Sequence, residues 1–461
     1  MSDRAIGSDA LRFPTRGTSR RTFIQASAAG VLGLGGSAAG ASLSVEEAVS
    51  LADSRRRELV DLLMRLVRIR SQSGETAESA QAVVREYLGT LPYRIEESAD
   101  RPSRFVDHPE YMPPNPPGDG PFVNLVGHPT GPRARHAMFS HIDTHIIADG
   151  WTTEPYEPVI RDGRMYGLGT ADDKGGIAAM LVAAAALAEV GGPMPVVMSL
   201  HGKGGGSRGS LPVFERLRKA RAKLEGVLYV HPAETGRGLE DIKTEVQGIV
   251  DLELSVTGWR APPMEINSID SASWADGGNA LDACLAAIEH LRTTAFSGVR
   301  LNLGKLNGGD RVGSVAETAS ATFRLKFSGT DTWRALLERG HSELVRFHPS
   351  LSRSGARGFD LSLQTVGYRT NPGKADWASP ESLALRDAIE GVTGAAPAAY
   401  PNHYAGDIRY PIRLLGVPAY GIGSLGGGFY GANEWVDIDD LVRLTAVCIH
   451  TIAGWGEIRP A

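Results

Sequence analysis

The most informative sequence pattern in this chain is Tyr166-Gly167-Leu168-Gly169-Thr170-Ala171-Asp172-Asp173-Lys174-Gly175-Gly176. A glycine-rich turn lets the backbone approach a ligand closely, and the N-terminus of a following helix favours negative charge. The same residues also fit an ordinary strand-loop-helix connection in which Asp172 caps the helix. The spacing fits neither GxxxxGKS/T nor a strand-linked GxGxxG, so the stretch is not a phosphate-binding loop.

A second pattern precedes this stretch: His141-Ile142-Asp143-Thr144-His145, directly after a predicted strand over residues 136–140. An acidic residue two positions after a histidine can orient or polarise a metal-bound imidazole. On its own, the pattern equally fits a histidine at a strand end followed by a turn-forming aspartate. A third pattern, Asn433-Glu434 after the glycine-rich residues 426–432, indicates little by itself.

Strands and helices alternate on both sides of these patterns. Apolar runs predict strands over residues 122–127, 136–140, 195–200 and 226–230, and apolar spacing predicts helices over residues 45–70, 78–88 and 177–190. Such alternation indicates an α/β fold with a largely parallel sheet.

The pattern changes near residue 250. Residues 250–256 and 321–327 alternate apolar and polar side chains, as half-buried strands do, and residues 279–292 and 333–347 have helical spacing. The α/β pattern returns from about residue 371. We therefore predict a large domain formed by residues 46–249 and 371–461, with a smaller α+β domain, residues 250–370, inserted into it.

Composition and charge exclude several classes of partner. The 461 residues are 42% hydrophobic and 22% charged, with a formal net charge of -5. A slightly acidic chain of this kind is not expected to bind nucleic acid or an anionic membrane surface. The two cysteines, Cys284 and Cys448, cannot form a disulfide framework.

The N-terminus has the form of a targeting segment. Ser19-Arg20-Arg21-Thr22-Phe23-Ile24-Gln25 is typical of a twin-arginine signal, and a Gly/Ala-rich apolar stretch follows over residues 26–41. That stretch is shorter than the roughly 20 apolar residues of a membrane span, and Ala39-Gly40-Ala41 suits signal peptidase. We expect residues 1–45 to direct export of the folded protein by the twin-arginine machinery, to the periplasm or beyond.

Together, the patterns resemble the zinc exopeptidases and deacylases of metallopeptidase family 20, among them aminoacylase, acetylornithine deacetylase, succinyl-diaminopimelate desuccinylase and carboxypeptidase G. The family pattern stands here as His141-Ile142-Asp143, Trp151, Pro155, Asp162-Gly163, Tyr166-Gly167-Leu168-Gly169, Asp172 and Lys174-Gly175-Gly176. The resemblance extends over roughly residues 55–455. It implies that the large domain is catalytic and that the inserted domain serves as a lid and as the interface of a homodimer.

The resemblance also implies two zinc ions that share one aspartate. Position by position, His141 matches a ligand of the first ion, Asp172 the shared aspartate, and Asp143 the residue that supports His141. The remaining carboxylate ligand of the first ion is expected within His231-Pro232-Ala233-Glu234; we favour Glu234, and His231 is an alternative of suitable chemistry.

The chain departs from the family at the second ion. Lys203 and Gly204 stand where the family has its general base and a ligand of the second ion, and Tyr430 stands where it has the other unshared ligand. These losses predict one metal ion, zinc or alternatively manganese or cobalt, and an altered base. Lys203 can serve as that base if burial or a nearby cation keeps it neutral, and otherwise it is an exposed loop lysine. Other groups that could transfer protons are His145, His201, His403 and Tyr430.

Three functions compete at this point. The first is metal-dependent hydrolysis of the amide bond of an N-acyl amino acid or small peptide. The second is non-catalytic binding of a small carboxylate ligand, and the third is a lyase or deaminase reaction that uses Lys203. In the first two, Arg409 and Arg324 are the candidates for binding a carboxylate.

Overall fold

The computed structural model describes residues 43–72, 74–114, 117–202, 206–259, 278–310, 314–351, 358–404 and 406–458. Nearly all of the predicted signal segment, residues 1–45, lies outside these ranges. Export by the twin-arginine route therefore stays a prediction.

The described residues form nine α-helices and eighteen strands, numbered here in chain order. The helices are α1 Val45–Ser54, α2 Arg56–Val67, α3 Gly74–Leu88, α4 Lys174–Glu189, α5 Ser210–Lys219, α6 Ala280–Thr293, α7 Trp333–Leu351, α8 Pro380–Thr393 and α9 Ile438–Glu457. The strands are β1 Tyr93–Asp100, β2 Phe122–Pro129, β3 His136–His141, β4 Val159–Arg161, β5 Arg164–Tyr166, β6 Val196–Leu200, β7 Gly226–Val230, β8 Asp241–Lys243, β9 Glu245–Thr257, β10 Arg300–Gly308, β11 Thr318–Phe327, β12 Asp360–Thr370, β13 Gly373–Lys374, β14 Ala398–Tyr400, β15 His403–Tyr404, β16 Ala419–Ile422, β17 Gly426–Gly427 and β18 Trp435–Asp437.

The largest sheet has the strand order β1-β2-β6-β3-β7-β16-β8-β14. Strands β6, β3, β7 and β16 run parallel to one another, while β1 and β2 add antiparallel strands at one edge. Every residue of β3, β6 and β7 is buried, as expected for parallel strands that are covered on both faces.

Alternating side chains of these strands belong to two different cores. Met138 and Leu228 pack with the helices that include α4 and α9, whereas Phe139 and Tyr229 pack with α5 on the opposite face. Helix α4 is buried along residues 174–187 and contacts α2, α9 and β3. Its small side chains allow this close packing, which fixes the glycine-rich loop at its N-terminus against the sheet.

A second, antiparallel sheet has the order β10-β11-β9-β12. Val250, Leu252, Leu254 and Val256 of β9 are buried in a separate core with α6 and α7. The first residues of β9 instead pair with β13 and β15, so β9 connects the two parts of the fold. The predicted domain boundaries at residues 249/250 and 370/371 fall inside β9 and at the end of β12.

The smallest sheet, β17-β18-β5-β4, joins distant parts of the chain. Trp435 of β18 pairs with Tyr166 of β5, so residues near the C-terminus lie beside the glycine-rich stretch. The predicted fold class, an α/β domain with a largely parallel sheet plus a smaller α+β domain, is confirmed. Among the described residues, no helix combines the length and apolar character needed to cross a membrane.

A substitution of Gly176 in α4 tests how closely the helix must approach the sheet. A Cβ atom at this position would lie 2.1 Å from the carbonyl oxygen of Val230. We expect Gly176→Ala to lower the free energy of unfolding by about 1–3 kcal/mol, because overpacking outweighs the better helix propensity of alanine. Chemical denaturation measures the change.

The matched control is Gly454→Ala in α9, where the added Cβ atom meets no heavy atom within 4 Å. That variant should gain about 0.5–1 kcal/mol from helix propensity alone. Equal effects of the two substitutions would contradict the close approach of α4 to β7.

His136, the first residue of β3, gives the fold a dependence on pH. Its side chain is buried, with its ring centroid 5.3 Å from that of Trp455, and burial lowers its pKa to about 4 from 6.5. The folded state therefore binds fewer protons than the unfolded state between these pH values, so this contribution to stability is lost as pH falls from 6.5 to 4.

We expect His136→Leu to gain stability relative to the unsubstituted chain by on the order of 3 kcal/mol between pH 7 and pH 4, at about 1.4 kcal/mol per pKa unit. Denaturation of both proteins across this range measures the difference. His128→Leu, at the half-buried partner of Glu96, is the control. If the difference in the free energy of unfolding between His136→Leu and the unsubstituted chain is the same at both ends of this pH range, the prediction is wrong.

Candidate metal centre

The site forms where two parallel strands of the largest sheet end. His141 is the last residue of β3, and His231 directly follows β7, its parallel neighbour. Asp172 lies in the glycine-rich loop that precedes α4. Because neighbouring parallel strands end at the same edge of a sheet, the two histidines meet beside this loop.

His141, Asp172 and His231 form a group suited to a metal ion. Oδ1 of Asp172 lies 3.0 Å from Nε2 of His141 and 3.3 Å from Nε2 of His231, and all three residues are buried. Zinc bonds of about 2.0–2.2 Å in tetrahedral geometry separate neighbouring ligand atoms by roughly 3.4 Å. Both distances from Asp172 are close to this value, and all three ligand atoms lie within 4.8 Å of one another, so the group is a candidate three-ligand zinc site.

A hydrogen bond at Nδ1 fixes the orientation of the His141 ring. Its Nδ1 lies 3.0 Å from the backbone carbonyl oxygen of Asp143, to which an N–H at this position donates. Nε2 is then the nitrogen with a lone pair, and it points towards Asp172.

Asp143, predicted to support His141, lies beside it. Its Oδ1 lies 3.6 Å from Nδ1 of His141 and accepts a hydrogen bond from the backbone N–H of Gly202, while Oδ2 lies 3.3 Å from Nε2 of His201. Burial lowers the pKa of His201 to about 4, so this imidazole is neutral near pH 7. Asp143 thus ties the end of β3 to the segment that follows β6.

His231 has a neighbour that sequence patterns did not reveal. The side-chain nitrogen of Lys243, on β8, lies 2.7 Å from Nδ1 of His231 and is fully buried. Nδ1 also lies 2.8 Å from the carbonyl oxygen of Pro232, and an N–H that donates to this oxygen leaves the lone pair on Nε2, which faces Asp172. Burial lowers the pKa of His231 to about 3, and that of Lys243 to about 8. A neutral imidazole is the form that binds metal ions. The short strand Asp241-Ile242-Lys243 has no local feature that marks its lysine as part of a site.

Glu234, our favoured third ligand, lies beside this group and belongs to a second one. Its Oε1 is 3.8 Å from Nε2 of His231 and 3.8 Å from Nε2 of His403, and it accepts a hydrogen bond of 2.9 Å from the Tyr430 hydroxyl. His231, Glu234 and His403 thus form a second possible metal-binding group. Burial alone would raise the pKa of Glu234. The polar contact with His403 outweighs burial, so the pKa of Glu234 is lowered and its carboxylate stays ionised.

Backbone geometry directs Glu234 and Tyr430 towards each other. Both have left-handed backbones, with φ of 60° at Glu234 and 61° at Tyr430, which is uncommon for residues other than glycine. Such conformations persist where the surrounding structure enforces them, often at functional sites. The ring of Tyr430 also contacts that of His145, with centroids 5.2 Å apart.

The loop that carries Asp172 is held by Glu434. The carboxylate of Glu434 accepts backbone hydrogen bonds from Gly169, Ala171 and Asp172 at 2.8–2.9 Å. Burial raises the pKa of Glu434 to about 7 in spite of these donors. Lys174, at the start of α4, is buried and donates to the carbonyl oxygen of Ile69 at 2.7 Å. The conspicuous Asp-Asp-Lys-Gly-Gly stretch therefore serves partly to fix the loop.

The predicted carboxylate-binding arginines make contacts within the protein. Arg409 is fully buried and donates to the carbonyl oxygen of Gly406 and to the Tyr410 hydroxyl. Arg324 lies on β11 and forms two hydrogen bonds with Asp251 of β9, at 2.6 and 2.8 Å. Substrate binding by either arginine stays a prediction.

The residues predicted to replace the family's base and second-ion ligands are only partly described. Lys203 and Gly204 lie outside the described residues, so an altered base at Lys203 and a lost ligand at Gly204 stay predictions. Tyr430 is described: its side chain is half exposed and its hydroxyl is engaged with Glu234.

The sequence of this chain matches a known protein family over residues 137–454. The model of "Peptidase family M20/M25/M40" matches residues 137–454. A succinyl-diaminopimelate desuccinylase of Acidiphilium cryptum is 24% identical over 397 residues, which cover 84% of this chain and 96% of the relative. One of Acinetobacter baumannii is 27% identical over 320 residues, covering 65% and 77%.

Solved structures show the same fold at low identity. An aminopeptidase PepT from Bacillus cereus has a TM-score of 0.64 at 16% identity, covering 87% of this chain and 99% of its own. A tripeptidase from Staphylococcus aureus has 0.61 at 18%, covering 86% and 98%, and human carnosine dipeptidase 1 has 0.60 at 15%, covering 91% and 100%.

Glu434→Gln tests whether the loop positions the metal-binding carboxylate. A glutamine offers one acceptor oxygen in place of two, so a buried backbone N–H loses its partner. We expect the free energy of unfolding to fall by about 1–3 kcal/mol, and zinc affinity to fall about 10–100-fold because Asp172 is no longer held in place. Denaturation and zinc titration with a chromophoric chelator measure the two effects.

Glu457→Gln, an exposed glutamate at the end of α9, is the control and should change neither quantity. Loss of stability at Glu434 with unchanged zinc affinity would show that the loop is not what orients Asp172.

Proposed function

The chain belongs to peptidase family M20/M25/M40, and we propose that this metal-dependent amide hydrolase cleaves an N-acyl amino acid or a small peptide with one tightly bound zinc ion. One observation carries the proposal: Oδ1 of Asp172 lies 3.0 Å from Nε2 of His141 and 3.3 Å from Nε2 of His231. We assign His231, the alternative that the sequence left open, as the third ligand in place of Glu234. Manganese or cobalt would fit the same ligands.

A zinc ion held by these residues would supply Lewis acidity to the scissile carbonyl group and to a water molecule. Burial keeps the imidazole of His231 neutral and Glu434 holds Asp172, so these ligand atoms need little rearrangement. Asp143 restrains His141 through the backbone. This preorganisation supports hydrolysis, since fixed polar groups need not reorient during the reaction.

The proposed hydrolysis also needs a group that accepts a proton. Lys203 stands where the family resemblance implies a general base, and we keep it as the candidate. Loss of a general base costs about 10²–10⁴-fold in rate, so we expect slower turnover than with a carboxylate at this position.

The same substitutions favour a second candidate function, a binding protein without turnover. Lys203 and Gly204 leave no carboxylate at the expected base, and a pocket with an ordered ion could still hold a small carboxylate ligand. A reaction of Lys203 as base or covalent amine, of the lyase or deaminase kind, is the third candidate.

We further propose export of the folded protein through the twin-arginine machinery and assembly as a homodimer through the second sheet and its helices. Residues 19–25 support the first proposal, and the family resemblance supports the second. A site built from contacts between distant segments would then be complete before export, which is compatible with loading the metal in the cytoplasm.

His141→Ala and Asp172→Asn test the proposed activity. The purified chain, assayed with a panel of N-acetyl and N-succinyl amino acids, dipeptides and tripeptides, should release free amine. Each substitution should lower kcat/KM by on the order of a hundredfold or more, because charge stabilisation at the carbonyl group is lost, and should remove the tightly bound zinc.

His128→Ala is the control, since this histidine pairs with Glu96 on the edge strands β1 and β2. Turnover that survives Asp172→Asn would contradict the proposal. A zinc-loaded chain that binds members of the panel and releases no amine would favour the binding protein.

A further inference from the structure

Among the described residues, the two parts of the fold have separate hydrophobic cores. The buried side chains of β9 from Val250 onwards pack with α6 and α7, whereas Val246, earlier on the same strand, packs with the largest sheet. Relative motion is the default expectation for two parts of a chain unless a large hydrophobic interface joins them. Polar contacts between the two parts therefore matter for their orientation.

The chain crosses between the two parts at two neighbouring positions. One crossing lies in β9 and the other directly follows β12, and the two are paired: Thr370 with Ile249, and Gly373 with Val246. Two strands that cross side by side can act as a hinge, because changes in a few backbone angles at the ends of elements let one part rotate against the other. A restraint on this hinge has to come from another segment.

Such a segment lies between β1 and β2. Residues 106–111, called the strap below, contact both the hinge and the smaller domain. The carbonyl oxygen of Pro109 accepts hydrogen bonds from Nε1 of Trp333 at 3.0 Å and from Nδ2 of Asn371 at 3.3 Å. Trp333 is the first residue of α7, and its backbone N–H donates to Oδ1 of Asn371 at 3.0 Å. Asn371, directly after β12, thus links the strap to the start of α7.

Arg369, near the end of β12, adds a further contact with the strap. Its guanidinium donates to the carbonyl oxygen of Val106 at 3.3 Å. The same group lies 5.2 Å from the ring centroid of Tyr111, in the strap, and 5.5 Å from that of Trp333. A guanidinium within about 6 Å of an aromatic ring is attracted to it. The strap therefore contacts the smaller domain on both β12 and α7.

Glu110 and Tyr111 anchor the strap in the large domain. Tyr111 is buried in the core that includes Phe139 of β3. Oε1 of Glu110 accepts hydrogen bonds from Nε of Arg413 at 2.6 Å and from Nδ2 of Asn371 at 3.0 Å, and Glu110 is only 4% exposed. Hydrogen bonds to a charged group are stronger than those between neutral groups. One carboxylate oxygen therefore joins the large domain, through Arg413, to the hinge, through Asn371.

We propose that the strap restrains the hinge and so fixes the orientation of the smaller domain relative to the domain that carries the candidate metal centre, with Glu110 as the central contact. When the strap is released, the two crossing strands alone determine the orientation, and a rotated state becomes more populated. The inference concerns motion within the chain. It depends neither on turnover nor on a bound metal ion.

Double electron–electron resonance between two spin labels measures this orientation. Glu86→Cys places one label on α3 and Glu289→Cys places the other on α6, at side chains that are 68% and 66% exposed. Cys284 and Cys448 are buried, so the chain without introduced cysteines gives the background labelling. With the strap unsubstituted, we expect a single narrow distribution of distances between the two labels.

Glu110→Ala removes both hydrogen bonds that Oε1 accepts. Since a hydrogen bond to a charged group shifts an equilibrium by about tenfold or more, the population of the rotated state should increase by at least about that factor. Trp333→Phe removes only the indole N–H that donates to Pro109, and the increase should be about two- to tenfold. Both effects appear as a broader distribution or as a second distance.

Asp119→Ala is the matched control. Asp119 is another carboxylate of the connection between β1 and β2, and it accepts hydrogen bonds from Ser103 of the same connection. Its distribution should equal that of the unsubstituted chain. A label pair within the large domain, Glu86→Cys with Lys219→Cys on α5, should give the same distance in every variant.

Circular dichroism checks the fold of each variant, and if Glu110→Ala does not fold, Trp333→Phe decides. A broad distribution in the unsubstituted chain would overturn the restraint, and so would a distribution that stays narrow in both strap variants. Equal broadening in Asp119→Ala, or a changed distance within the large domain, would show general loosening of the fold and would also contradict the proposal.

Discussion

Three backbone N–H groups converge on the buried carboxylate of Glu434, and the candidate metal centre depends on this contact. The donors belong to Gly169, Ala171 and Asp172, and Glu434 lies 262 residues beyond Asp172 in the chain. The pairing of β18 with β5 brings this glutamate to the loop. The position of Asp172 is therefore a tertiary property: the α/β domain must close at its C-terminal end before the ligand is in place.

The carboxylates of the candidate centre are buried, so their charges need to be balanced. Asp143 and Asp172 are almost fully buried, the imidazoles of His201 and His231 beside them are neutral, and the ammonium group of Lys243 lies next to His231. Buried carboxylates are costly unless a positive charge or hydrogen bonds balance them. A divalent cation at Asp172 would supply that balance and, by binding only the folded state, would stabilise the fold as well.

The sequence was sufficient for the fold class and for part of the centre, because both depend on local patterns. Strand and helix periodicity indicated the two sheets, and the resemblance pointed to His141 and Asp172, whose side chains lie 3.0 Å apart. It could not choose between His231 and Glu234, since the turn after β7 sets which side chain reaches Asp172, and the left-handed backbone of Glu234 turns it towards His403. Lys243 lies on another strand, β8, and no pattern in the neighbouring sequence indicates that it belongs to a site.

The exchange of a carboxylate for an imidazole at His231 has a chemical consequence that bears on the missing base. The resemblance implied two carboxylates and one histidine around the first ion, a set that cancels the charge of a divalent cation. With His141, His231 and Asp172 as ligands, one unit of positive charge is left uncancelled. A more positive ion is the stronger Lewis acid and activates water at lower pH, which reduces the need for a strong proton acceptor. A neutral third ligand at His231 would therefore be chemically compatible with the proposed lysine base at position 203.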